Sequence, residues 1–219
     1  IWRSLVGSEM CIRDRTVSDN ITSTEANTLD AKTTGVITAT ISTTAIADLD
    51  DLTGTGNAYT ITVGDTSVTA AALNTVNAAT TVNVTATAVT TITGTAAQLT
   101  TTYGGGVTGL GNEAITLSDT SISASTLNTL DGDTTGVINA SNVTTITGTY
   151  SQITTAQSSS GITGLDGVNT IISGNMTVAQ ANTVAATTTD PVTATITDGD
   201  MATLAGLNET GNAYTITIT

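Results

Sequence analysis

The residues of this chain best suited to chemistry are its carboxylates, which come in close pairs: Asp131 with Asp133, Asp198 with Asp200, and Asp50 beside Asp51. The D-x-D spacing suits oxygen ligation of a hard cation, so Asp131, Asp133, Asp198 and Asp200 are the candidate calcium ligands. Neither an EF-hand loop nor a glycine-rich nonapeptide calcium repeat accompanies them, and solvated turn residues are the competing reading of every pair. A glycosidase would set two carboxylates across a cleft, whereas these pairs fall in turn-like segments without an aromatic platform for a sugar. Nucleophilic catalysis of the serine type needs a base to take the hydroxyl proton. The sequence has no His, and its one cation beyond residue 15 is Lys32. No catalytic residue is assigned, and calcium is the only cofactor considered. Gly104, Gly106 and Gly109 satisfy G-x-G-x-x-G, but the LGNEAITLSD behind them reads as strand rather than as the helix that receives a pyrophosphate. Sequons begin at Asn20, Asn83, Asn142, Asn175 and Asn208. In a chain this rich in Asn, Ser and Thr, about that many arise by chance, so they say little of glycosylation.

A repeat has to position these acids. Sliding the chain against itself by 54 residues superposes Leu73–Val76 on Leu127–Leu130, Thr91–Thr95 on Thr145–Thr149, and Asn128 on Asn182. Upstream the step is 47, and GNAYTIT at Gly56 returns at Gly211. Such periods mark repeat architectures. Each long unit divides into two coils that run alternating strand, short bridge, capping residue and brief helical turn. The expected caps are Thr22, Thr69, Ser123 and Thr177 in one coil type, and Asp48, Thr95, Thr149 and Thr203 in the other. Each has a side-chain oxygen able to accept from free N–H groups at a helix start. Glu25, Gln180, Asp51, Gln98 and Gln152 stand three places on, mostly as a capping box requires. Ile21, Val68, Ile122 and Met176 precede the first set and pair with Ala26, Leu73, Leu127 and Ala181 as hydrophobic staples.

Ile61 with Val63, and Ile115 with Leu117, alternate with Thr at period 2, the mark of a strand with one buried face. A unit this short cannot bury that face alone, so the sequence predicts a mainly β repeat solenoid of about eight coils, each about 23 to 31 residues, leucine-rich-repeat-like or β-helix-like. Ile61 and Ile115 are expected to share one inward column, and Leu73 and Leu127 another. The extra length of the longer coils is assigned to loops around Tyr103–Gly111 and Gln157–Gly164.

Residues 1–15, IWRSLVGSEMCIRDR, hold the only Trp, the only Cys and three of the four cations. They are set aside as an artefactual segment expected to pack poorly through Trp2, Val6 and Ile12. Residues 16–219 are read as a single repeat domain, incomplete at both ends. A formal net charge of −14 argues against nucleic-acid binding, which needs clustered Lys and Arg, and against anionic membranes. No apolar run approaches the length of a spanning helix. The absence of thiols beyond Cys11 suits an oxidising exterior. Aromatics at 2% leave the core to small aliphatics and Thr methyls.

SDTSISASTLNTLDGDTTGVINASNVTTITGT resembles the Thr- and Ala-rich beta-strand repeats of very large secreted surface proteins of marine bacteria, notably cyanobacteria. The coil grammar is also similar to the treponemal type of leucine-rich repeat, without that family's strand-ending Pro and Ala-Phe. Residues 1–15 resemble translated sequencing-adapter read-through. The first two resemblances imply an extended, exposed architecture, extracellular or on the cell surface, used in adhesion or coverage. Neighbouring repeats of the same parent chain are then the expected partners, with no surface ligand indicated. The competing function is a calcium-dependent binding module whose Asp-rich turns rigidify on metal.

Overall fold

The computed structural model describes residues 14–219, so all but the last two residues of the segment set aside above, with Trp2, Val6 and Ile12, lie outside the described residues. In chain order the elements are β1 (Arg15–Thr16), α1 (Ser23–Asp30), β2 (Ile37–Thr40), α2 (Ile46–Leu49), β3 (Ala58–Thr60), β4 (Ser67–Thr69), α3 (Ala70–Ala78) and β5 (Val84–Thr85). Then follow β6 (Thr91–Gly94), α4 (Ala96–Tyr103), β7 (Val107–Thr108), β8 (Ala114–Leu117), β9 (Ser121–Ser123), α5 (Ala124–Asp133), β10 (Ile138–Asn139) and β11 (Thr145–Gly148). The last are α6 (Tyr150–Ser158), β12 (Ile162–Thr163), β13 (Asn169–Met176), α7 (Val178–Ala185), β14 (Val192–Ile196), α8 (Met201–Leu204) and β15 (Ala213–Ile216).

The fold is α/β, and this corrects the expectation of a mainly β repeat solenoid: among the described residues eight helices alternate with parallel sheets, and the helices hold more residues than the strands. The segments after the caps were expected to be brief turns. Rich in Ala and Leu, which favour helix, and started by side-chain caps, five of them propagate for eight to ten residues, and α3 runs for nine. Gly and Thr-Thr turns meanwhile hold most strands to two to five residues.

Capping follows the sequence closely. Thr22, Thr95, Thr149 and Thr177 each form a complete capping box with Glu25, Gln98, Gln152 and Gln180. Ser123 caps α5 by accepting from the Thr126 N–H, and Thr69 directly precedes α3. Asp48 and Thr203 do not cap. Asp48 lies inside α2, whose first N–H, on Ile46, donates to Asp65 Oδ2 at 2.6 Å. Thr203 instead donates its N–H to Asp200, the true cap of α8.

The described residues form two compact units. The first holds 14–65, 72–88 and 105–109. Its parallel sheets are β1-β2-β3 and β5-β7. Pairing begins at Arg15, opposite Ile37, one residue before the boundary read from sequence. Ile61 lies in a line with β5, since the Thr85 N–H donates to Ile61 O and Val84 pairs with Val107.

The second unit holds 66–71, 89–104 and 110–219, with two five-stranded parallel sheets ordered β12-β10-β8-β6-β4 and β15-β14-β13-β11-β9. One inward column steps through Val68, Ile92, Ile115, Ile138 and Ile162. A second runs Ile122, Ile146, Thr170 and Val192. All nine are buried. Ile115 thus sits between Ile92 and Ile138, while the Thr62–Thr85 bridge sets Ile61 beside Val84, which pairs with Val107, so the expected shared column of Ile61 and Ile115 does not form. The reason is local: the stretches around Val107 and Ile162, read as loop insertions, are strands β7 and β12 paired in register. Equal sequence period does not therefore mean equal strand position.

Candidate functional site

Three of the four candidate calcium ligands, Asp131, Asp198 and Asp200, accept hydrogen bonds from neighbouring groups. Asp131 and Asp133 lie in the last turn of α5 rather than in a loop. Two positions apart on a helix, their side chains leave on nearly opposite faces. Asp131 accepts from Ser159 Oγ at 2.7 Å. Asp198 Oδ2 accepts from the Val178 N–H at 2.7 Å, at the start of α7. Hydrogen bonds from Thr203 hold the Asp200 carboxyl below its ordinary range. Among the described residues no group of three or more His, Cys, Asp and Glu side chains gathers where it could hold a metal. Gly104 ends α4 and β7 follows the glycine run, so that run is a turn; Gly109, at φ +85°, lies where an added Cβ would strike Thr87.

Asp65, Asp119 and Asp198 play one recurrent part. Each accepts from the first N–H of a helix that began 19 to 23 residues earlier, at Ile46, Ala96 and Val178. A carboxylate there meets the positive end of the helix dipole. Asn27, Asn128 and Asn182 do similar work, their Nδ2 groups donating to the carbonyls of Asp51, Gln152 and Gly206. Thr-Thr pairs complete the pattern. Thr80 and Thr81 donate their hydroxyls to Tyr59 O and Asn57 O, Thr134 and Thr135 to Glu113 O and Gly111 O, and Thr188 and Thr189 to Val168 O and Asp166 O.

Sequence reasoning passed over Glu113, which is wholly buried. It accepts from Tyr103 Oη at 2.9 Å and from the Gly111 N–H at 2.8 Å. The signal was present, because Glu113, Ile115 and Leu117 share one phase of the period-2 alternation. Tyr59 is as deeply buried, and its hydroxyl has no hydrogen-bond partner. Burial, then the charge of Asp30, pushes the Tyr59 phenol up to about 12. Burial, then the bond to Glu113, drives Tyr103 up as well. Both phenols must ionise on unfolding at high pH, so their contribution is complete below the ordinary phenol pKa of 10.0 and is lost as pH rises toward about 12. Denaturant melts should therefore show stability falling across that window, and in a chain carrying Tyr150→Phe and Tyr214→Phe tyrosinate absorbance should appear only on unfolding; tyrosinate formed on that chain while still folded would contradict this.

Two shallow polar clefts occupy equivalent places in the repeat. One, of about 320 Å³, is lined by Asp30, Thr33, Thr34 and Asn57 in the first unit. The other, of about 430 Å³, is lined by Thr188, Thr189, Asp190, Glu209 and Asn212 in the second. Their hydroxyl and amide linings agree but their carboxylates do not: Ala185 stands where the first cleft has Asp30. No protein-family model matches the chain, and neither a curated protein nor a solved structure matches it significantly.

Proposed function

We propose that this chain is a structural or adhesive segment of an extracellular or cell-surface protein. The observation that supports the reading is where its polar side chains go. Asp, Asn and Thr, the residues that would otherwise bind a cation or polarise a substrate, are directed at main-chain groups 19 to 26 residues away in the chain. Such bonds tie successive repeats together. No helix among the described residues is long and apolar enough to cross a membrane.

Thermal melting of the full chain in calcium and in EDTA tests the reading against a metal-dependent module. The expected result is one and the same melting temperature, because Asp131, Asp198 and Asp200 already have hydrogen-bond donors. A rise of many degrees with calcium would replace the passive segment with the calcium-dependent module. Retention of chain-coated beads on polysaccharide and mineral surfaces then separates an adhesive role from a purely structural one.

A further inference from the structure

The sequons carry one chemistry into different settings. To the five that begin at Asn20, Asn83, Asn142, Asn175 and Asn208 the sequence adds a sixth, Asn139-Ala140-Ser141. All six asparagines are exposed, whereas seven of the nine others are buried or half-buried. The asparagines whose side chains hold the coils together stay outside the motif: Asn27, Asn57, Asn128, Asn182 and Asn212 have Leu, Tyr, Leu, Val and Tyr two places on. In five sequons the middle residue is an anchor, since Ile21, Val84, Ala140, Val143 and Met176 are buried. Side chains alternate along extended backbone, so burying the middle one turns the outer two away from the core together.

Exposure alone does not make an acceptor, because the motif needs both the asparagine amide and the hydroxyl two places on. At Asn142 both are committed: Nδ2 donates to Leu117 O at 2.8 Å, and Thr144 Oγ1 to Thr120 O at 3.0 Å. At Asn139 the amide oxygen accepts from the Ser141 N–H at 3.0 Å. At Asn20 and Asn175 the hydroxyl is occupied, because Thr22 and Thr177 accept from the Glu25 and Gln180 N–H groups as helix caps. Asn83 with Thr85, and Asn208 with Thr210, spend neither side-chain group in a hydrogen bond among the described residues. Asn83 directly precedes β5, and Asn208 lies in the turn after α8. Thr53 and Thr55, which take the places of Asn208 and Thr210 before the first GNAYTIT copy, stay exposed even though Thr80 and Thr81 of the following coil bond to that copy.

We propose that Asn83 and Asn208 are N-glycosylation sites of the folded chain. The co-reactant is a sugar activated on a phosphate leaving group, delivered by a transferase that reads Asn-x-Ser/Thr. The C1–O bond of the sugar breaks as the Nδ2–C1 bond forms, the phosphate group departs with the bonding electrons, and one amide proton passes to a base of the transferase. At these two residues the transfer breaks no hydrogen bond of the fold. The assignment is independent of any adhesive role.

The test uses the full chain, a soluble asparagine glycosyltransferase of this specificity and a nucleotide-linked hexose, with sites mapped by mass spectrometry. Two hexoses per folded chain are expected first, at Asn83 and Asn208, at least about tenfold faster than at Asn142, where two hydrogen bonds must be given up. Fragments of the same chain cut at aspartate keep all six motifs and should lose that preference. Asn83→Gln and Asn208→Gln should each remove one hexose, and Thr85→Val should remove the hexose at Asn83 alone; circular dichroism of the unmodified variants checks their folding. Transfer to the fragments but not to the folded chain at these two residues, equal rates at Asn83 and Asn142 in the folded chain, or the same preference in the fragments would each overturn the assignment.

Discussion

Replacing Glu113 with Ala should destabilise the chain by about 2 to 5 kcal/mol, measured as a shift of the urea midpoint at constant slope. The acid is wholly buried, and its removal strands three donors at once, the Tyr103 hydroxyl and the N–H groups of Gly111 and Asn112. Each unpaired buried group costs about 1 to 3 kcal/mol. Tyr103→Phe deletes only one partner of the same cluster and should cost less than Glu113→Ala. If the two variants and their double mutant proved strictly additive, the cluster would not act as one network.

Leu127→Ala is expected to cost about 2 to 5 kcal/mol through the cavity it leaves. Leu127 is fully buried on α5, which packs on β9 and β11 and between α4 and α6. Few side chains there are large enough to close the gap. Thr116→Ala on β8, half-exposed and on the opposite strand face from Ile115, should cost about 1 kcal/mol or less. Equal effects in denaturant melts would mean that the buried face has been assigned to the wrong phase.

Local chemistry was readable where both members of an interaction lie within a few residues of each other. The capping boxes at Thr22, Thr95, Thr149 and Thr177 and the buried staple residues Val68 and Leu73 follow from spacing alone. What lies about 20 residues apart in sequence was not readable. Asp65, Asp119 and Asp198 were free carboxylates until the fold set each over the start of an earlier helix. The helices were expected only as brief turns, and Thr, which they carry in number, is a middling helix former. On α4 and α6, Thr100, Thr101, Thr154 and Thr155 instead return their hydroxyls to carbonyls three or four residues back within the helix. The placement of Asp131 and Asp133 was hidden for the same reason. Asp131 and Asp133 are adjacent in a list of acids, yet a helix turns them apart.

The sheet order β15-β14-β13-β11-β9 also governs how the second unit bears load. A pull on the C-terminal end acts first on the β15–β14 ladder, four residue pairs long, before it reaches β13. The ladder bonds therefore carry tension in succession, not in concert, and each strand released lengthens the tether by the helix and turns behind it. Strands joined in this order yield stepwise under a pulling force and recover one at a time, a soft extensible response instead of a rigid one.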